Sequence, residues 1–579
     1  MRLKSIQTIS VLAITMLSSL AAFAQEPAAQ TKDSAISGRV VSESGQPLPG
    51  VNVSLSAFGG PGGHRTTTDN EGLFRVQGLD AGMYRVFLSA PGYVAQFPSE
   101  STPTYRPGDR AELTLIKGAV IAGTITNIAG EPVVNISVRA YQIRDTEGNK
   151  IARPAFAQPR FTDDRGYYRI YGLQPGTYIV AAGGQGQYFG SVNPFANDAM
   201  TFAPASTRDT AAEIVVRSDQ EATADIRYRA EPGHAVSGKV SGAQPPLPFT
   251  PSVRLIDLES RVVMTTAVVS GLDRTFQVNG ISDGEYEISA IGGGGPNNEV
   301  VASSARKIAV RGADVTGLDL ALVAMGSVDA RVNIETDAKL NCGRRRDTAM
   351  RETMVVLRRA QPEEKSGAAK DKTADTSEVS LFASSSFEAV PNEKGEIHYR
   401  NLSPATYRFD VHLPAAGWYL RDVALDQKPG AKTESTIARS GISIKLGEKI
   451  SGIAIAIAEG GASLRGRVTI PEGQSLPPLR IYLAPAEREN SDNPLRFFEA
   501  AVAADGTFVI ANVAPGRFWL LAQPAEQIDA TTIKSTRSDS SFRAKVLHAA
   551  EALKKEIALK PCDRTTDYEF PYSSPAPRP

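Results

Sequence analysis

Cysteine, histidine and tryptophan are scarce here: two Cys, five His and two Trp in 579 residues. Two cysteines exclude a disulfide-dense miniature scaffold. Neither Cys342 nor Cys562 has a Cys or His neighbour at ligand spacing, which argues against a structural zinc site. Of the histidines, only His548 opens a His-x-x-Glu pair, with Glu551. No histidine follows it to complete a metallocarboxypeptidase centre, so zinc is not expected. Excess charge of one sign is also missing: 63 basic residues balance 63 acidic ones, and no global field draws nucleic acid or an anionic membrane. There is no Gly-x-Ser-x-Gly elbow, and the glycine run Gly292 to Gly295, followed by Pro296, lacks the Lys-Ser/Thr of a phosphate loop. The acidic turns at Asp69 to Glu71 and Asp163-Asp164 offer too few carboxylates for a calcium loop and read as plain turns. The sequence therefore predicts no catalytic residues, no metal and no cofactor.

What is present begins with a leader. Arg2 and Lys4 precede an apolar run from Val11 to Phe23 and the small-residue pattern Ala22-Phe23-Ala24. This reads as a secretory signal peptide over 1–24, with the mature chain starting at Gln25 and a linker over 25–34. No twin arginine and no cysteine at the cut suggest folded export or a lipid anchor, and no later apolar stretch is long enough to span a bilayer. The expected location is exported: periplasmic, or extracellular at the cell surface. In an oxidising compartment Cys342 and Cys562 are either one long-range disulfide or two unrelated thiols.

At this length, with roughly 100–200 residues per domain, about three to six domains are expected. Self-similarity then decides the organisation. Thr68-Asp69-Asn70-Glu71-Gly72-Leu73-Phe74-Arg75-Val76-Gln77-Gly78-Leu79-Asp80-Ala81-Gly82-Met83-Tyr84 returns as Thr162 to Tyr178, Thr275 to Tyr286, Gly395 to Tyr407 and Asp505 to Phe518. In every copy a large apolar residue (Phe74, Tyr168, Phe276, Ile397, Phe508) is followed four positions later by Gly or Asn and ten positions later by Tyr or Phe. The Asp-x-x-Gly element is a tight turn, and the alternation Phe74, Val76 then Tyr84, Val86 is that of strands with one buried face. A second element, Gly38-Arg39-Val40 leading to Gly45-Gln46-Pro47-Leu48-Pro49-Gly50-Val51-Asn52-Val53, precedes the first copy and recurs from Gly123 to Val138. Shorter echoes stand at Gly238 and Gly466. Many short strands between Gly and Pro turns predict an all-β sandwich repeated in tandem.

These motifs, together with Ala90-Pro91-Gly92-Tyr93, resemble the carboxypeptidase regulatory-like family, most strongly over 36–97 and well over 120–182. The resemblance implies a Greek-key sandwich of the prealbumin/transthyretin kind and a non-catalytic accessory role, with sugar binding in related sandwich families. The expected units are 35–117, 118–231, 232–324, 325–459 with a charged flexible insertion at 361–386, and 460–526, followed by a helix and Pro-rich tail over 527–579. In that tail Phe542, Val546, Ala550, Leu553 and Ile557 fall at helical spacing, which predicts one amphipathic helix over 540–558. A bond between Cys562 and Cys342 would tether that helix near the fourth unit and fold the array back.

The function these features predict is an exported scaffold or interaction protein for adhesion, surface attachment or partner docking, with an unknown protein or polysaccharide partner and no nucleic acid. Two alternatives are a carbohydrate-binding protein and an accessory part of a peptidase system. For sugar stacking the candidate aromatics are Tyr105, Tyr188, Phe189, Trp418, Tyr419 and Trp519.

Overall fold

The computed structural model describes residues 34–572, leaving out 59–62, 96–102, 149, 152–157, 185–192, 243–249, 260–261, 271–272, 294–298, 341, 343–346, 361–385, 426–435, 472–474 and 525–538. The leader, Tyr188, Phe189 and nearly all of the charged insertion lie outside the described residues.

The fold is all-β, a string of Greek-key sandwiches. In the first, strands Leu73–Val76, Ile36–Ser42, Arg110–Lys117 and Tyr93–Ala95 form one sheet in that order. Strands Gly63–Thr67, Asn52–Ala57, Tyr84–Ser89 and Thr104–Tyr105 form the other. Ile36, Val40, Val53, Leu55, Phe74, Val86, Leu113 and Leu115 fill the space between them. Each later unit repeats the closure: its first strand pairs antiparallel with the strand of the repeat's large apolar residue and parallel with the unit's closing strand. The third unit is one continuous eight-stranded sheet, joined where Val301 and Ala302 pair with Ala324 and Val323.

The repeated residues have local causes. A Cβ on Gly38 would stand 2.3 Å from the carbonyl oxygen of Ala111 on the closing strand and 2.7 Å from the Phe74 ring. Gly123, Gly238 and Gly466 are equally crowded, at 2.3, 2.1 and 2.2 Å from backbone oxygens. Glycine at this register lets the closing strand come in over a large ring. The fourth unit has Ala330 there, opposite the smaller Ile397. The Gly-or-Asn position has positive φ in all five copies: Gly78 (72°), Gly172 (71°), Gly280 (71°), Asn401 (60°) and Asn512 (58°). These two residue types tolerate that conformation best.

The repeat's tyrosine ties down the same connection. The hydroxyls of Tyr84, Tyr178, Tyr286 and Tyr407 donate to the carbonyls of Asp80, Gln174, Ser282 and Ser403, four residues back, at 3.1, 2.8, 2.8 and 2.9 Å. Burial pushes the Tyr286 hydroxyl up to about 12. In the fifth unit Phe518 has no hydroxyl. Arg496 lies over its ring, 5.4 Å from the centroid, and donates to the carbonyl of Pro515 at 2.9 Å instead.

The tail differs from the expectation. The helix runs Ser540–Leu553, capped by Asp539, whose side chain accepts from the Phe542 amide at 2.9 Å. It ends at Lys554, which is left-handed. Ile557 then belongs to the strand Glu556–Leu559, and Arg564–Pro571 forms the strand that closes the fifth sandwich against Ala462–Thr469. Residues 556–559 and 564–571 are thus strands within the expected Pro-rich tail, and they carry the fifth sandwich beyond residue 526. The helix is an insertion before the last two strands of the fifth sandwich.

Candidate interaction surfaces

Neighbouring sandwiches meet through apolar packing as well as linkers. Tyr141, Ile179, Met200 and Phe202 of the second unit share a core cluster with Val236, Val262 and Phe276 of the third. At the third-to-fourth junction the Val300 amide donates to the Asn401 side chain at 2.8 Å.

Cys342 and Cys562 form a disulfide with Cα atoms 5.3 Å apart. It lies at the junction of the fourth and fifth sandwiches. There the amides of Gly460 and Gly461 donate to the Gly417 carbonyl at 3.0 and 2.9 Å, and the Cys562 amide donates to Gly460 at 3.0 Å. Arg564 reaches the Cys342 carbonyl at 3.1 Å. Cys342, Cys562, Gly461 and Arg564 line a cleft of about 160 Å³ with Ala416, Gly417 and Ser463. The bond therefore joins two units already adjacent in the chain, and the fold-back expected from it does not arise there.

The array does turn back, by a different contact. Met83 of the first sandwich packs on Met354 and Val356 of the fourth, with Phe58 and Val390 at the margin. Arg85 pairs with Glu388 and stacks 4.9 Å from the Phe58 ring centroid. Arg106 donates to the backbone carbonyls of Glu352 at 3.1 Å and Leu413 at 2.5 Å. Beside them, burial holds the His412 imidazole below its ordinary 6.5, with Arg358 and Arg106 acting in the same direction and Asp410 and Glu388 opposing. Sequence reasoning missed this surface. Met83 and Arg85 sit at repeat positions and read as strand residues, and nothing local marks their partners.

The sugar-stacking candidates are largely occupied. Trp418 is fully buried in the fourth core, so the expectation of an exposed ring fails for it: its strand is an inner surface of the sandwich. Tyr419, on the opposite face, is half-buried against the core of the fifth unit. Trp519 lies under the C-terminal helix with Tyr482, Phe497 and Leu521, where Val546 and Ala550 supply the helix's apolar face. Tyr105 packs on the first core. Among the described residues the exposed aromatics are others: Tyr167, Tyr171 and Phe161 of the second sandwich and Phe87 of the first.

The acidic turns are committed to their own backbones. The Asp69 carboxylate accepts the amides of Glu71 and Leu73, and that of Asp163 accepts those of Arg165 and Tyr167. The Arg165 side chain, followed by the Tyr167 amide, holds Asp163 below the usual carboxylate range. His548 and Glu551 lie on the C-terminal helix. Among the described residues no group of three or more His, Cys, Asp or Glu is placed to hold a metal, and no helix is long and apolar enough to cross a membrane.

The chain is similar to the BOS complex subunit NOMO1 of Mus musculus, 29% identical over 145 residues, which are 24% of this chain and 11% of that protein. The chain thus spans about a tenth of that relative's length. Among solved structures, it is similar to GBS52, the minor pilin of Streptococcus agalactiae, at 13% identity, covering 37% of this chain and 99% of that one with a TM-score of 0.20. It is also similar to BcpA, the major pilin subunit of Bacillus cereus, at 12% identity, covering 50% and 99% with a TM-score of 0.13. The carboxypeptidase regulatory-like domain family matches residues 35–115, the span of the first sandwich.

Proposed function

We propose that the protein is an exported, non-catalytic scaffold whose tandem sandwiches present surfaces for adhesion, surface attachment or partner docking. The observation that carries this reading is where the chain spends its chemistry. The charged and aromatic groups at Arg85, Arg106, Glu388 and Tyr419 go into joining one unit to another. A set of side chains so used builds a shape and leaves outward faces free to vary. The expected units are 35–117, 118–231, 232–324, 325–459 and a fifth unit from 460 that includes the closing strand to Pro571.

The test is whole-cell surface proteolysis combined with fractionation of the native host. An envelope or extracellular chain lacking residues 1–24 supports the reading. A cytoplasmic chain with the leader intact overturns it.

A further inference from the structure

In each sandwich the strand that carries the repeat's first large apolar residue (Phe74, Tyr168, Phe276, Ile397 or Phe508) lies at a sheet edge, so its inward residues are fixed by the core and its outward ones are not. In the second sandwich this strand, Tyr167–Leu173, alternates exposed and buried residues as far as Tyr171. Its outward side carries Tyr167 and Tyr171, 36% and 57% exposed, with Arg169 between them. The same two outer positions hold Leu73 and Gln77, Thr275 and Asn279, Glu396 and Arg400, and Thr507 and Ala511 in the other units. Two aromatics at this register occur in the second unit alone. The repeat does not need them: core, turn and closure form in the other four units without them.

At roughly 3.3 Å per residue the two rings are about 13 Å apart along a straight strand. The ground between and beside them is polar. Arg169 reaches across the sheet to Glu221 at 2.9 Å. Asp225 accepts the amide and hydroxyl of Thr124, the residue opposite Tyr167, at 2.8 and 2.9 Å. Arg160 lies over the Tyr171 ring, 4.4 Å from its centroid. Arg160, Arg169, Glu221 and Asp225 sum to no net charge.

We propose that this face binds an extended, uncharged polysaccharide lying along the strand Tyr167–Leu173, with sugar rings on Tyr167 and on the side of Tyr171 away from Arg160, and hydroxyls on the Arg169–Glu221 pair. A charged glycan has no matching excess of charge. A dry protein interface fits poorly, because it would bury the ion pair under apolar surface at a desolvation cost, and its core calls for contiguous apolar area. A hydrated glycan leaves the pair wet and asks only for separated ring faces. The proposal goes beyond the scaffold reading and does not depend on it.

The experiment is native electrophoresis of the chain from Gln25 through gels cast with hydroxyethylcellulose, xylan, amylopectin or a soluble β-1,3-glucan. Retardation is expected in at least one gel. Tyr167→Ala and Tyr171→Ala should each weaken it about tenfold, the loss of one stacked ring. Tyr171→Phe, which keeps the ring, and Leu73→Ala, at the same register of the first sandwich, should leave it unchanged. Full mobility in every gel overturns the proposal, as does undiminished retardation of the Tyr167→Ala/Tyr171→Ala double variant. A protein adduct lost in these variants, without any gel retardation, would give the face to a protein partner and also overturn it.

Discussion

Arg106 of the first sandwich and Glu352 of the fourth are 246 residues apart in sequence, yet the Arg106 Nε donates to the Glu352 carbonyl at 3.1 Å. A second nitrogen of the same guanidinium donates to Leu413. One side chain thus holds two backbone groups of a distant unit, next to the Met83–Met354 contact. The string is closed on itself by this surface, while each unit keeps its own core.

Opening that surface should change shape before it changes secondary structure. Arg106→Ala combined with Met354→Asp removes both bonds and places a charge among the methionines. The expected result is a larger radius of gyration by small-angle scattering with an unchanged far-UV circular dichroism spectrum. A variant as compact as the parent would show that the contact does not hold the array closed.

Acid should loosen the same contact. Burial lowers the His412 pKa from 6.5, so between the folded value and 6.5 the unfolded chain binds more protons than the folded one. The imidazole's contribution is complete above 6.5 and is lost as pH falls from there to the folded value. His412→Gln should therefore flatten the fall in melting temperature below pH 6.5 relative to the parent. Parallel curves for parent and variant would remove His412 from the account.

The Cys342–Cys562 bond closes a loop with a sequence separation of 220, which restricts the unfolded chain severely. Cys342→Ser with Cys562→Ser should cost about 2–4 kcal/mol in the unfolding of the fourth and fifth sandwiches. Denaturant melts of the oxidised and serine forms measure this. The signal of the first three units should not move, since neither cysteine touches them.

Gly466 should not tolerate a methyl. Its Cβ would meet the Tyr568 carbonyl oxygen at 2.2 Å and the Phe508 ring at 2.8 Å. Gly466→Ala is expected to destabilise the fifth sandwich by about 1–3 kcal/mol. Shrinking the ring as well, Phe508→Ile, imitates the Ala330–Ile397 pair and should recover part of that loss in a double-mutant cycle. Losses that simply add would mean that the ring and the methyl do not compete.

Which residues repeat was legible in the sequence, and the structure supplies the reasons, each of them local. Positive φ needs Gly or Asn at positions 78, 172, 280, 401 and 512, a tyrosine hydroxyl reaches back four residues, and an Asp carboxylate caps its own turn. The period-two alternation of Phe74 and Val76 is enough to place an inner and an outer face. The helix was legible for the same reason, since its apolar face is a periodicity of its own sequence. Its length was not: Ile557 continues the helical spacing but pairs with Phe518 across a sheet.

Aromatic residue type alone misled. Trp418, Tyr419 and Trp519 look like stacking platforms in sequence, but burial depends on what packs from outside the segment, and each meets a core, a neighbouring unit or the helix. Tyr167 and Tyr171 were hidden by the repeat that contains them. The signal that could have found them is a comparison of outward positions between copies.

By itself, then, the sequence determined the strand-turn-strand unit, its repetition and its sandwich class, because turns, left-handed positions and alternation act over a few residues. The tertiary structure alone decided which last strand closes the fifth unit, that Met83 meets Met354, and which aromatic faces stay in solvent. These follow from where whole sheets come to rest on one another, and no local pattern encodes contacts made hundreds of residues apart.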